Sequence, residues 1–321
     1  MRAQRFESLD GPEGLRPAEV PAPRGDGQVL IDVAAAGVSF PEVLMSRGLY
    51  QMKPDLPFVP GVEVAGTVRD APEQSGFAAG DRVMAVTMLG GFAEIAVAPA
   101  ALTRPLPAQF SFEQGGGFIL NYHTAHFALT RRAGLRPGET VVVHGAAGGL
   151  GTAFLQVARA LGAEVVAVTS SPEKAEIAHR AGAQAVVVTD GDWPAALRAL
   201  NEGRGADAIV DPVGGDRFDE SLRCLAPGGR LVVVGFTEGR IPTVAANRLL
   251  LRNISVVGAA WGAWLRDDPG LFATTADGLA PMIESGLVAP VVGASFALDD
   301  AVAALRLIDE RRATGKVVLT I

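Results

Sequence analysis

Residues 141–151 read Val-Val-Val-His-Gly-Ala-Ala-Gly-Gly-Leu-Gly and constrain the fold more than any other stretch. Three β-branched residues run into a turn dense in glycine. The turn runs straight into Thr152-Ala-Phe-Leu-Gln-Val-Ala-Arg-Ala-Leu, whose apolar residues recur at helical spacing. A strand, a tight turn and a helix N-terminus together form a phosphate cradle. The N–H groups of the first helical turn lack intrahelical partners, and the helix dipole favours an anion there. Gly145, Gly148 and Gly151 fall as Gly-x-x-Gly-x-x-Gly, with Gly149 extra. Such spacing is weak evidence by itself; the strand before it and the helix after it give it meaning. The stretch is expected to hold the pyrophosphate of a dinucleotide. The alternative is a tight strand–helix turn with no ligand.

Beyond the loop, strands and helices alternate. Residues 165–168, 185–188, 207–211, 230–235 and 254–258 read as strands, and 172–181, 194–200 and 218–225 as helices. Ser171 and Asp192 are candidate N-caps and Gly182 a helix stop. Six strands alternating with helices predict an α/β fold with a doubly wound, six-stranded parallel sheet of Rossmann type. Right-handed crossovers put the strand ends, and the ligand, on one edge. Upstream, residues 1–118 read as short strands between turns, near 28–38, 62–68, 80–86 and 92–97, with one short helix over 41–48. Pro54, Pro57 and Pro60 argue against long helices there, so a compact, partly open β-barrel is expected. Near the C-terminus, 299–308 reads as an amphipathic helix and 315–321 as a strand returning to the barrel. The division expected is 1–118 with 259–321 for the barrel domain, and 119–258 for the dinucleotide domain.

The nicotinamide cofactor's ribose comes next. An acid about 20 residues past the glycine loop holds a ribose 2′-OH in NAD-binding units. Here the second strand ends Val168-Thr169-Ser170-Ser171, and Lys174 lies one turn into the next helix. Glu164 is at the wrong end of that strand. Hydroxyls at Thr169 and Ser170 with the lysine suit a 2′-phosphate, which an acid would repel, so NADPH is expected over NADH. The alternative is that Ser171 only caps the helix and Lys174 is a solvated lysine beside Glu173.

Other chemistries fall away. The four histidines, at 123, 126, 144 and 179, sit in no His-Glu-x-x-His or Cys-x-x-Cys arrangement, and Cys224 fits the buried face of a helix. No metal site is expected. There is no Gly-x-Ser-x-Gly elbow and no Walker loop. Net charge is −7 and no tract is basic, so neither nucleic acid nor a membrane is an expected partner. The first residues carry acids and no apolar core, so a secretory signal is not expected. A lone cysteine fits a reducing compartment, and a cytoplasmic protein is the expectation.

Several segments together resemble the zinc-independent quinone oxidoreductases of the medium-chain dehydrogenase/reductase superfamily. They are Gly37-Val-Ser-Phe-Pro-Glu-Val-Leu-Met-Ser-Arg-Gly-Leu-Tyr, Pro57-Phe-Val-Pro-Gly-Val-Glu-Val-Ala-Gly-Thr-Val and Ala146-Ala-Gly-Gly-Leu-Gly. Asp211-Pro-Val-Gly-Gly, Ala226-Pro-Gly-Gly-Arg and Thr314-Gly-Lys-Val-Val-Leu join them. The resemblance implies a GroES-like catalytic domain built from both termini, a central Rossmann domain, and NADPH in the cleft between them. Zinc-dependent relatives carry cysteine where Ser39 lies and histidine where Val62 lies, and a cysteine-bearing lobe that Val86-Thr-Met-Leu-Gly-Gly-Phe omits.

The resemblance also implies site residues. Thr124 matches a threonine at the nicotinamide end, and Ala147, Gly148, Gly149 and Leu150 match pyrophosphate contacts. Ser170 and Lys174 match contacts to the 2′-phosphate. Val213, Gly235 and Phe236 fall where the nicotinamide half rests. Lys316 matches a position near a cofactor phosphate, and Ser39 replaces a frequent cofactor-site asparagine. Val188-Thr189 departs from an adenosine-side pattern. Tyr50 aligns with a tyrosine of quinone and enoyl-thioester reductases and is the candidate acid or hydrogen-bond donor; its alternative is a structural role.

The implied reaction is hydride transfer from NADPH to a quinone, a small electrophile that needs little Lewis-acid help. The alternatives are reduction of an enone, enal or acyl-CoA, or an NADPH-binding protein of low turnover. Phe40, Leu49, Trp261 and Trp264 are candidates for an apolar acceptor pocket, and Arg47, Arg248 and Arg252 for CoA phosphates. An apolar edge strand near 254–258 predicts a homodimer.

Overall fold

The computed structural model describes residues 1–188 and 192–321. It forms two compact units, Met1–Asn121 with Pro290–Ile321, and Tyr122–Ala289. The first contributes β1 (Arg2–Phe6), β2 (Leu15–Glu19), β3 (Val29–Val38), β4 (Glu63–Asp70), β5 (Arg82–Val86), β6 (Ile95–Ala98) and β7 (Thr103–Pro105). The second contributes β8 (Thr140–His144), β9 (Glu164–Thr169), β10 (Ala185–Val188), β11 (Ala206–Asp211), β12 (Leu225–Val233) and β13 (Ser255–Gly258). The chain then returns to the first unit with β14 (Val292–Ala297) and β15 (Lys316–Thr320).

The first unit is organised on β3. Its residues Val29, Ile31, Val33 and Ala35 alternate inward, and from Ala35 to Val38 every residue is buried. That length lets it pair antiparallel with β6 through its first half, β4 through most of its course, and β15 through its last residues. The sheet runs β14-β15-β3-β4-β5-β7, so the expected return of the C-terminal strand to the barrel is what the structure contains. The short helix Phe40–Met45 follows β3 directly. The strands β1 and β2, paired as an antiparallel ribbon, and β14, alongside β15, were not expected.

The second unit is a parallel sheet in the order β10-β9-β8-β11-β12-β13. In chain order that is 3-2-1-4-5-6, the doubly wound arrangement, with the order reversing between β8 and β11. Val142, Val166, Ile209 and Leu231 from its strands meet Leu197, Phe218 and Leu222 from its helices in one core. Ligands of such sheets bind outside the carboxyl ends of the strands at the reversal.

The division between units differs from the expected one. Residues 259–289 belong with the parallel sheet, and 119–121 with the barrel. Ala259 N donates to Val233 O (2.9 Å), and Trp261 and Phe272 pack against His123. Helices Trp261–Asp267 and Leu271–Glu284 thereby bury their apolar sides within the second unit. Among the described residues no helix is long and apolar enough to cross a membrane.

Candidate active site

The glycine loop is built by backbone contacts that side chains would block. Gly145 takes φ +59°, a left-handed conformation that glycine adopts without cost. Gly148 N donates to Gly145 O at 3.0 Å and closes the turn. A Cβ on Gly151 would lie 2.2 Å from Gly145 O, so only glycine lets helix Gly149–Ala160 start this close to the strand. No side chain caps that helix, leaving its first N–H groups to an outside acceptor. Gly148, Gly149 and Leu150 are half-buried, whereas Ala147 is buried. These features fit a pyrophosphate.

The neighbouring strand ends complete the edge. Asp211 Oδ1, at the tip of β11, accepts from Val213 N (2.8 Å) and Gly214 N (2.9 Å). Thr237 N and Glu238 N donate to Pro212 O and Val213 O, both at 3.0 Å. These bonds fold 235–238 back on 212–214, with Gly235 against Pro212 and Phe236 against Gly214, while a Cβ on Gly145 would lie 3.7 Å from Val213 Cγ2. Gly145, Val213, Gly235 and Phe236 are thus brought together. At the tip of β9, Lys174 Nζ donates to Ser170 Oγ (3.2 Å), and Ser171 Oγ accepts from Lys174 N as helix N-cap. Thr169 is turned inward with its hydroxyl toward Ser171 O (3.4 Å), and it does not join the Ser170–Lys174 pair at the surface, as the sequence had suggested. Thr124 is half-buried on helix Ile119–Phe127. Thr189 lies outside the described residues.

A second group of residues gathers in the first unit. Lys316, 3% exposed, donates from Nζ to Glu63 Oε1 (2.7 Å) and Ser39 Oγ (2.5 Å). Glu63 Oε2 accepts from Leu120 N at 2.8 Å. Glu42, on the helix after Ser39, accepts from Ser39 N (3.0 Å) and Val62 N (3.1 Å). Burial pushes the Glu42 carboxyl up to about 7 against the pull of the Lys316 charge. Glycines make the room: a Cβ on Gly37 would lie 2.6 Å from Glu63 Oε1, and one on Gly117 2.5 Å from Lys316 Cγ. Lys316 is therefore not presented to a phosphate as the resemblance implied; its ammonium is buried in an ion pair within the first unit. Tyr50 is half-buried, and burial together with the Glu42 charge raises its phenol further, so it stays a neutral donor.

Glu42 was missed as a member of this group. The signal was present, since Ser39-Phe-Pro-Glu is the capping-box spacing before an apolar run. Other expected residues have structural partners. Arg47 pairs with Asp309 and Arg248 with Asp219 at the surface, and Arg252 donates to Leu222 O and Leu225 O. Trp261 and Trp264 pack on His123 and Phe127 inside the second unit. His144 is buried against Trp193 with Nε2 2.9 Å from Ser221 Oγ, and burial drives it down to about 3. Cys224 is buried and its thiol is pushed up to about 11, a core residue. Among the described residues no three His, Cys, Asp or Glu side chains gather as a metal would require.

A barrel unit joined to a doubly wound sheet with a glycine phosphate loop defines an oxidoreductase of the medium-chain dehydrogenase/reductase class. Residues 25–108 match the alcohol dehydrogenase GroES-like domain, and 149–276 the zinc-binding dehydrogenase domain. The quinone oxidoreductase-like protein 2 homolog of Nematostella vectensis is 39% identical over 92% of this chain and 82% of its own. A probable oxidoreductase from Mycobacterium abscessus superposes with TM-score 0.91 at 41% identity, covering 100% of this chain and 99% of that one. The quinone oxidoreductase of Thermus thermophilus, solved also with NADPH, superposes with TM-score 0.87 at 37% identity over 100% of both chains. The chain belongs to the quinone oxidoreductase family of this superfamily.

Proposed function

We propose that the chain is an NADPH-dependent, metal-independent reductase that passes a hydride to a quinone. The observation that carries the cofactor choice is the Lys174–Ser170 pair at the tip of β9, where residues 169–171 are all hydroxylated and the Glu173 carboxylate is taken up by the Ser171 side chain. A lysine and a hydroxyl there would receive a 2′-phosphate, and an acid would repel it. The loop 145–151 would take the pyrophosphate on backbone N–H groups, and Thr124, Val213, Gly235 and Phe236 would line the nicotinamide half. Bound NADPH supplies the hydride.

The first unit would serve the acceptor. Where zinc-dependent relatives carry a cysteine and a histidine, this chain has Ser39 and Val62; a hydroxyl and an isopropyl group make a poor zinc site. A quinone accepts a hydride without a Lewis acid, so the protein's task is positioning and exclusion of water. Tyr50, held neutral, is suited to donating a hydrogen bond to the acceptor. The unpaired side of β13, flanked by the exposed Leu250 and Leu251, favours a homodimer. The buried lone cysteine fits a cytoplasmic setting.

The test is an NADPH-oxidation screen over quinones, enones and enoyl-CoAs, with NADH beside it and a chelator present. Quinone turnover with NADPH preferred at least tenfold is expected. Equal rates with NADH would sink the Lys174 argument, and turnover confined to enoyl-CoAs would sink the quinone. A monomeric mass by light scattering would reject the dimer.

A further inference from the structure

The hydrogen bonds around Ser39 leave one proton unassigned. Lys316 donates to Ser39 Oγ, so the serine oxygen acts as acceptor toward the lysine. The nearby carboxylates are already engaged. Glu63 receives Lys316 Nζ and Leu120 N on its two oxygens, and Glu42 receives Val62 N and Ser39 N. The Ser39 hydroxyl itself donates no hydrogen bond among the described residues. An ammonium bound to a hydroxyl oxygen withdraws charge from it and makes the remaining O–H a stronger donor. Ser39 is 9% exposed and the Lys316–Glu63 pair behind it 3% and 1%, so the charge acts in a medium that screens it weakly.

We propose that Ser39 is an oxyanion donor: its hydroxyl, polarised and oriented by the buried Lys316–Glu63 pair, donates a hydrogen bond to the acceptor oxygen that becomes negative on hydride addition. This rests on the reading of the chain as a hydride-transfer reductase, and it assigns Ser39 to the acceptor in place of the cofactor. In the step, the two electrons and the hydrogen of the hydride pass to the quinone, which becomes a hydroquinone monoanion. NADPH is oxidised to NADP⁺. A proton from water then completes the hydroquinone, so neither Ser39 nor Lys316 changes its proton count. Lys316 is a positioning residue, acting through Ser39. Ser39 thus supplies by hydrogen bonding part of what a metal would supply by coordination.

The arrangement selects a substrate class. It favours acceptors whose reduction places charge on an oxygen, such as quinones and enones, over acceptors that delocalise charge onto carbon or nitrogen. Ser39 offers that oxygen a hydroxyl, so a phenolate should bind as a mimic of the charged product.

The experiment uses the whole protein and p-nitrophenolate, whose visible band reports hydrogen bonding, in titrations without cofactor. Wild type is expected to bind it with a shifted band. Ser39→Ala should weaken that affinity about tenfold and abolish the shift, and Ser39→Thr should restore both. The variant Ser39→Ala should show a lowered Tm, because Lys316 loses a buried acceptor, yet stay folded with its NADPH Kd unchanged while quinone kcat/KM falls about 100-fold. Replacing both members of the pair, Lys316→Gln with Glu63→Gln, leaves no lone buried charge and should likewise lose the shift. A Ser39→Ala protein that binds p-nitrophenolate like wild type, or a wild type that does not bind it, overturns the proposal. So does a raised NADPH Kd in Ser39→Ala with phenolate binding intact, which would return Ser39 to the cofactor. Absence of turnover in wild type would overturn the reductase reading alone, because the phenolate titration needs no catalysis.

Discussion

Substituting Gly151→Ala sets two physical effects of opposite sign against each other. Alanine is favoured over glycine in a helix by about 1 kcal/mol, and Gly151 lies in the first turn of helix Gly149–Ala160. The added Cβ, however, would sit 2.2 Å from Gly145 O and 2.7 Å from both the C and Cα of Ala146. All three atoms are backbone, so no rotamer change relieves the contact and the loop itself must open. Overpacking of this kind costs about 1–3 kcal/mol, and with walls this close the clash exceeds the propensity gain. The net expectation is a loss of up to about 2 kcal/mol, or roughly 3 °C in Tm. Opening the loop also displaces the N–H groups from a pyrophosphate, and NADPH Kd should rise at least about tenfold. Gly262→Ala is the control, since its Cβ would meet nothing within 4 Å and it too lies in a helix. That variant should gain stability and leave Kd unchanged. Thermal unfolding with and without NADPH reads both quantities. A Gly151→Ala protein as stable as wild type, with wild-type NADPH affinity, refutes the reasoning.

Other outcomes follow from individual contacts. Lys174→Ala should raise NADPH Kd about tenfold and leave NADH binding unchanged, as read by fluorescence titration. Arg230, whose side chain is 13% exposed, donates to Glu139 and to the carbonyls of Ala133 and Asp207. Arg230→Met should cost about 3 kcal/mol in urea unfolding, because Glu139 keeps only its bond from Arg136 N and loses its buried charge partner while those carbonyls lose a donor; a change within error would refute it. The Glu42 carboxyl, raised from 4.5 to about 7, retains a proton in the folded state that the unfolded chain has already lost. Its contribution to stability is therefore greatest below about pH 4.5, falls as pH rises to about 7, and is flat above. Wild type should lose stability relative to Glu42→Gln across that window, and parallel profiles would contradict the shift.

The sequence carried the parallel sheet well because buried parallel strands are continuous apolar runs, and β8, β9 and β11 are of that kind. It carried the loop because a glycine turn between strand and helix is a local pattern. The ribbon of β1 and β2 escaped because β2 is mostly exposed and holds Pro17. The strand β14 escaped because it includes Gly293, which packs against Thr314 O where no side chain would fit. Helix Leu271–Glu284 contains Pro281, which masks its period and shifted the expected boundary between units. The Ser39–Lys316 contact joins residues 277 positions apart. No local pattern encodes it, and the same holds for the inward turn of Thr169.

The central claim is NADPH-dependent hydride transfer to a quinone without a metal. Its most direct test follows NADPH consumption and hydroquinone formation together in protein stripped by a chelator and checked for metal content. Equal amounts of NADPH consumed and hydroquinone formed, at an unchanged rate after stripping and at least about tenfold slower with NADH, are predicted. Loss of turnover on stripping, restored by added zinc, would contradict the account.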